Sequence, residues 1–392
     1  MGDSLRYDLS TTPIPLPWAP GQELQLEILK NFRASPFQGN PGQPLTATVA
    51  EILSVTMSSV MRLVMSGPQV SSGAPSHPKQ QAVLKLYDRR FGTDLRDYRY
   101  RHVPLTAARE SAFHKFVRQR KIAPFLDEWV PKKRKAEMAL DARPCNFLDD
   151  CPEQGEPKDP EGDEMYEAAL WQLCGEQFDA EAEAYERLKD QQGKTILRMY
   201  AHVRLVFSGP DVPQNLVDEP DTARYFEVRG TLLEFVDGYN LSEIWWSTPL
   251  KGGIPADPRE WQHITQEAVD AVYEMNKRGI SLDDCQPRNV MVDRHTQKPF
   301  IIDFGVCEFK DRLIQLWMEN DWLEEEDPEV RYWESVISTD NPGAIGAIAR
   351  HMIKQKKGIQ LEIKFPDVYK VLVELKQSKG IEPTEAEIMA MD

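Results

Sequence analysis

The sequence predicts an α+β chain in two lobes, a small β-rich N-lobe followed by a mainly helical C-lobe. Three observations predict it. The chain has 392 residues, which suits two domains of roughly 100–200 residues each. Short apolar runs bounded by turn residues recur up to about residue 236. A strongly periodic segment at 258–277 then opens a region that reads as helices. Strands first and helices afterwards, with no regular alternation, is the order expected of α+β architecture. The expected division is an extended N-terminal arm at 1–44, an N-lobe at 45–236 and a C-lobe at 237–392.

The elements follow in chain order. Residues 1–44 are rich in Pro and Gly and read as a loosely packed arm. The runs 48–55 and 60–65 flank Thr56-Met57-Ser58-Ser59, a pattern that suits a hairpin. A linker rich in Ser, Gly and Pro at 66–79 leads to a third strand, Gln81 to Tyr87. An insert covers about 92–170. Within it, 106–121 has helical spacing, with Ala108, Phe113, Phe116 and Val117 near one face. The acidic, Pro-rich stretch 141–165 reads as a surface loop. Helix returns by Met165 and runs, with a break, to Leu188. Strands are expected at 195–200, 202–208, 225–228 and 230–235. The helix at 258–277 has Pro258 at its start and Gly279 just past its end. Two short strands then bracket the turn 293–298.

Composition narrows the function. The net charge is -16, with 41% hydrophobic and 9% aromatic residues. A chain this acidic is a poor match for nucleic acid or an anionic membrane surface, both of which need clustered Lys and Arg. The five cysteines are scattered without a C-x-x-C pair, so neither structural zinc nor a disulfide framework is expected. The N-terminus lacks an apolar signal core, and no apolar run reaches about 18 residues. An intracellular setting is expected, cytoplasmic or nuclear, the latter because Lys132-Lys-Arg-Lys135 has the form of a short import signal.

The chemistry concentrates at 279–305. Phosphoryl transfer needs a carboxylate beside the attacking hydroxyl, oxygen ligands for Mg²⁺ and a cation on the phosphates. Asp284-Cys-Gln-Pro-Arg-Asn289 places a carboxylate and an amide five apart across a loop stiffened by Pro287. Asp303-Phe-Gly305 follows the apolar run Phe300-Ile-Ile302. This series resembles the protein-kinase-like superfamily, with its D-x-x-x-x-N catalytic loop followed by D-F-G. The resemblance implies a two-lobed protein-kinase-like fold that uses ATP and Mg²⁺. It implies Asp284 as catalytic base, and Asn289 and Asp303 as metal ligands. Val83-Leu-Lys-Leu86 resembles the kinase lysine strand, with Lys85 on the nucleotide phosphates. Its partner would be a helix glutamate, Glu181 in preference to Glu183. Leu232-Leu-Glu-Phe-Val-Asp-Gly238 resembles the hinge, where the backbone of Glu234, Phe235 and Val236 would hold adenine.

Three departures narrow this resemblance. No Gly-rich loop precedes Lys85, so Met57, Ser58 and Ser59 would have to cover the phosphates. Leu282-Asp283 stands where the kinase His-Arg would be. No A-P-E follows Asp303-Phe-Gly305, and the remaining segment is short. The chain is thus similar to the atypical branch that includes aminoglycoside- and choline-kinase-like enzymes. The insert between the lysine strand and the glutamate helix resembles that of uncharacterised fungal kinase-domain proteins. The resemblance covers about 45–90 and 175–310. The expected partners are ATP and a hydroxyl-bearing acceptor, conventionally protein Ser/Thr or alternatively a small molecule. A pseudokinase that binds without turnover is the reading from a different class.

Overall fold

A computed structural model of the chain describes residues 12–37, 39–65, 80–98, 101–139, 162–206, 214–320, 323 and 326–391. The linker 66–79, residues 141–161 of the stretch 141–165 read as a loop, Cys145, Cys151 and Trp322 therefore lie outside the described residues, and residues 162–165 of that stretch are helical instead. The protein is α+β. It divides into two compact units, one comprising Met1–Asp179 with Met199–Phe235, the other Ala180–Arg198 with Val236–Asp392.

The first unit begins with β1 (Glu23–Asn31), β2 (Pro44–Val55), β3 (Ser59–Met65) and β4 (Gln81–Tyr87). Two short strands follow, β5 (Asp97–Tyr98) and β6 (Arg101–His102). Next come α1 (Ala107–Arg118), α2 (Ile122–Ala139) and α3 (Gly162–Arg187), whose last turns belong to the second unit. Then come β7 (Met199–Leu205), the short helices α4 (Gln214–Val217) and α5 (Pro220–Ala223), and β8 (Val228–Glu234). Six of these strands close a barrel in the order β1-β2-β3-β4-β8-β7. Closure follows from β1, which pairs antiparallel with both β2 and β7. A closed barrel leaves no unpaired sheet edge. Its core is filled by alternate residues, among them Leu26, Val49, Met61, Leu63, Leu84 and Leu232, all fully buried.

The barrel corrects the reading of residues 1–44 as a loose arm at residues 23–31, which form β1. Glu23-Leu-Gln-Leu-Glu-Ile-Leu carries period-2 alternation, and Leu24, Leu26 and Ile28 are buried. The Pro and Gly residues on either side mark turns around this strand rather than an unstructured segment. Three other boundaries move. The two strands expected at 195–200 and 202–208 are one strand, β7, and residues 195–198 precede it. Residues 224–226 form a 3-10 turn instead of a strand. The break expected between 165 and 188 is absent, since α3 runs unbroken for 26 residues. The hairpin of β2 and β3 and the strand β4 lie where the alternation placed them.

The insert packs through charge as well as apolar contact. Glu167 is fully buried on α3 and accepts from Arg89 Nη1 at 2.6 Å and from Arg96 Nη1 at 3.2 Å. Arg89 also donates to Glu110 at 2.6 Å. The basic run at 132–135 lies within α2, where Lys132 pairs with Glu128 and the buried Lys133 with Glu176.

The second unit contains β9 (Gly238–Asn240), α6 (Glu243–Trp246), α7 (Pro258–Lys277), β10 (Ile280–Leu282), β11 (Val290–Asp293), β12 (Pro299–Ile301) and β13 (Cys307–Phe309). Helices α8 (Lys310–Glu319), α9 (Pro328–Ser338), α10 (Ala344–Lys357), α11 (Val368–Ser378) and α12 (Glu385–Met389) follow. Helix α7 spans the predicted residues. The Asp257 side chain caps it by accepting from Arg259 N–H, and Pro258 opens its first turn. Ile264, Ala268, Val272 and Met275 form its buried stripe. β11 lies between β9 and β12, and β10 pairs with β13. Among the described residues, no helix is long and apolar enough to cross a membrane.

Candidate functional site

Three residues singled out in the sequence come together in the second unit. β10 leads into Asp283 and Asp284, and a 3-10 turn at Pro287–Asn289 leads out into β11. Pro287 fixes its own φ at the first turn position, and the Asn289 N–H donates to Gln286 O at 2.8 Å. This geometry brings Asn289 back to Asp284. Asn289 Nδ2 donates to the Asp284 carbonyl at 2.9 Å and to its Oδ2 at 2.8 Å. The other carboxylate oxygen, Oδ1, accepts from Arg288 Nη2 at 2.6 Å.

Asp303 is placed by the neighbouring hairpin. Val290 pairs with Ile301, and the Ile302 N–H donates to Asn289 O at 2.9 Å. The chain then turns sharply, because Asp303 has a φ of 67°. A non-glycine residue in the left-handed region is uncommon and is held there by its surroundings. Phe304 follows it. It is fully buried, edge-on to Tyr185 at 5.5 Å between ring centres.

Glu181 lies one turn before Tyr185 on α3 and is fully buried. Glu183 is committed to Arg187, at 2.8 Å, and to Arg312. The remaining sequence candidates lie outside this loop. Lys85 belongs to the first unit, is buried in β4, and has its Nζ 5.2 Å from the Tyr87 ring centre. Met57 and Ser58 form the β2–β3 turn and Ser59 begins β3, with both serines buried. Glu234 and Phe235 end the first unit, and Val236 begins the second.

The donor set can be tested against magnesium. Mg²⁺ takes oxygen ligands, few of them from protein. Asn289 commits its amide nitrogen to Asp284, which leaves Oδ1 as the atom able to ligate. Asp303 offers a carboxylate two residues beyond the strand paired with β11. The types therefore fit a site completed by phosphate and water. Among the described residues, no group of three or more His, Cys, Asp or Glu side chains could hold a metal by itself.

Two residues without a signature in the sequence hold this loop from beneath. Asn341 is fully buried between α9 and α10. Its Oδ1 accepts from Leu282 N–H at 3.1 Å, and its Nδ2 donates to Leu282 O at 2.6 Å. Asn276, near the end of α7, donates through Nδ2 to Asn341 Oδ1 at 2.8 Å and to Ile280 O at 3.0 Å. Tyr332 OH donates to Asn276 O at 2.9 Å, and Cys285 Sγ donates to Asn341 O at 2.9 Å. Burial pushes the Cys285 thiol up to about 12, so it stays protonated at neutral pH. Cys307 is also buried, and burial raises it too. Neither is a thiolate nucleophile.

No protein-family model and no curated protein matches this sequence. Among solved structures, the chain is similar to a rhoptry kinase from Toxoplasma gondii, with a TM-score of 0.33 and 9% identity over 75% of this chain. The matched region spans 52% of that protein. At this TM-score the likeness carries no argument about activity.

Proposed function

We propose that the loop 279–305 is an ATP- and Mg²⁺-dependent phosphotransferase site acting on a hydroxyl acceptor. The observation that carries the reading is the junction of Asp284 with Asn289, with Asp303 set beside it by the β11–β12 hairpin. In this reading Asp284 orients the acceptor hydroxyl and takes its proton. Arg288 occupies Oδ1 of Asp284 from an exposed position, so an incoming hydroxyl displaces an exposed ion pair of small net value. Asn289 and Asp303 hold the metal, which when bound neutralises charge on the transferring phosphoryl group. By the same resemblance, Lys85 supported by Glu181 holds phosphate, the Met57–Ser59 backbone covers it, and Glu234–Val236 hold adenine. Protein Ser/Thr is the conventional acceptor, and a small hydroxylated molecule is the alternative. Dependence on ATP favours an intracellular setting.

One observation favours a second reading, a nucleotide-binding module without turnover. Both carboxylate oxygens of Asp284 are held by its own loop. Two measurements separate the readings. Mg²⁺-ATP is expected to raise the melting temperature and to be consumed. Asp303→Ala is expected to abolish Mg²⁺-dependent binding, whereas Asp284→Ala spares binding and removes turnover. Equal loss of binding in both variants contradicts the assigned roles. Binding without turnover in the unaltered chain selects the second reading.

A further inference from the structure

The first unit contains a cavity of about 260 Å³ that none of the proposed phosphotransfer residues lines. Its walls are the end of β4 with the turn after it (87–90), Glu110 on α1, Trp171, Cys174 and Gly175 on α3, and the segment 224–229 that runs into β8. The β4–β8 ladder fixes its distance from the hinge-like segment. Tyr87 pairs with Arg229, whereas Ala82 pairs with Glu234. Five residues of strand separate the two ends, about 17 Å at ~3.4 Å per residue.

Charge in the cavity is uneven. Four arginines line it, against Asp88, Glu110 and Glu227. Arg89 is held by Glu110 and Glu167 at 2.6 Å, Arg90 by Asp88 at 2.8 Å, and Arg229 by Asp179 at 2.8 Å. Glu227 is drawn to Arg204 at 2.6 Å. Arg224 differs, since it donates through Nη2 to the Tyr225 hydroxyl at 2.6 Å and has no carboxylate partner among the described residues. A guanidinium offers five N–H donors in a planar fork that matches phosphate or carboxylate. Beside it, the Trp171 and Tyr225 rings lie 4.8 Å apart between centres. In a chain of net charge -16, a cavity with a surplus guanidinium does not follow from a generally basic composition.

We infer that this cavity is a binding site for an anionic group carried on a flat ring, a phosphate monoester or a carboxylate. Arg224 supplies the charge, and Trp171 with Tyr225 supplies the apolar wall. The inference is independent of the phosphotransferase reading. The source of the group is either a free small molecule or a modified side chain, and both present the same chemistry.

The test is calorimetric titration of the full chain with phenyl phosphate, with phenol as the neutral control and a phosphotyrosyl tripeptide as a third arm. Phenyl phosphate is expected to bind one to one and phenol not to bind. Arg224→Gln, an exposed position, is expected to weaken phenyl phosphate about tenfold or more, since a charged hydrogen bond is lost. Arg224→Lys, which keeps the charge and loses the fork, falls between. Arg259→Gln, which alters an exposed arginine of the second unit, is expected to leave binding unchanged. Tighter binding of the tripeptide identifies a protein as the source, and equal binding identifies a small molecule. The inference is overturned if Arg224→Gln binds as the parent does, if phenol binds as tightly, or if Arg259→Gln weakens binding as much as Arg224→Gln.

Discussion

Replacing Asn341 with alanine is expected to unfasten β10 and the Asp284 loop behind it. The Asn341 side chain is fully buried and makes three hydrogen bonds, two to the Leu282 backbone and one from Asn276. Alanine removes all three and leaves the Leu282 N–H and C=O without those partners. Each net hydrogen bond contributes about 1 kcal/mol, and each buried polar group left unsatisfied costs about 1–3 kcal/mol. The expected loss is therefore about 3–5 kcal/mol, a large fraction of a typical stability of about 5–15 kcal/mol. Tyr332→Phe provides the internal scale, because it removes a single bond to Asn276 O and should cost about 1 kcal/mol. Urea unfolding read by circular dichroism measures both variants, with hydrogen exchange reporting the second unit separately. If Asn341→Ala loses no more than Tyr332→Phe, the buried asparagine pair does not hold the loop.

Three further outcomes rest on the same geometry. Glu167→Ala is expected to destabilise the first unit by about 3–5 kcal/mol, because it removes the carboxylate that the buried Arg96 pairs with and leaves the buried Arg89 with Glu110 alone; a loss under about 1 kcal/mol in urea unfolding would falsify that account. Cys174, Cys285 and Cys307 are buried and their thiols are raised by burial, so iodoacetamide at neutral pH should spare them in native protein and modify them in urea, as peptide mass spectrometry can read; rapid native labelling of Cys285 would contradict its placement. Gly238→Ala is expected to disrupt the β9–β11 pairing, since the added methyl would overlap the Val292 carbonyl oxygen, and overpacking of this kind costs about 1–3 kcal/mol or more; an unchanged melting curve refutes it.

How much of the fold and the loop was legible in the sequence depends on range. Helix α7 was placed at its observed residues because its signals are local: Pro258 at its start, Gly279 just past its end and an apolar stripe between them. The Asp284–Asn289 contact was legible for the same reason, since five residues and a proline confine the loop. The barrel was not legible. β1 finds its second partner in β7, with Leu26 opposite Leu205, and no local pattern announces a pairing across so much chain. Composition also hid β1, because the turn residues around it outweighed its alternation. The Asn276–Asn341 pair was missed on the same principle. A buried asparagine looks like any polar residue until its partners, 59 and 65 positions away, are known.

That pair changes the meaning of Leu282. In the sequence, a leucine where the resembled kinase pattern has histidine reads as the loss of a structural polar contact. The structure places Leu282 in β10, buried, with its backbone N–H and C=O both bonded to the Asn341 side chain. The loop is therefore anchored through backbone groups, which any residue at 282 supplies, and its side chain is left to fill apolar space. Departure from the kinase pattern that the sequence resembles is then, at this position, not evidence of a decayed loop. The variant Leu282→His separates the two accounts. If the histidine were simply missing, Leu282→His would restore a contact and stabilise the fold. If Asn341 has taken over the anchoring, the imidazole loses the apolar transfer energy of the leucine and desolvates a polar ring. Together these cost about 2–4 kcal/mol. Urea unfolding of Leu282→His at pH 8, where the ring is neutral, decides between them, and a gain in stability would refute anchoring by Asn341 alone.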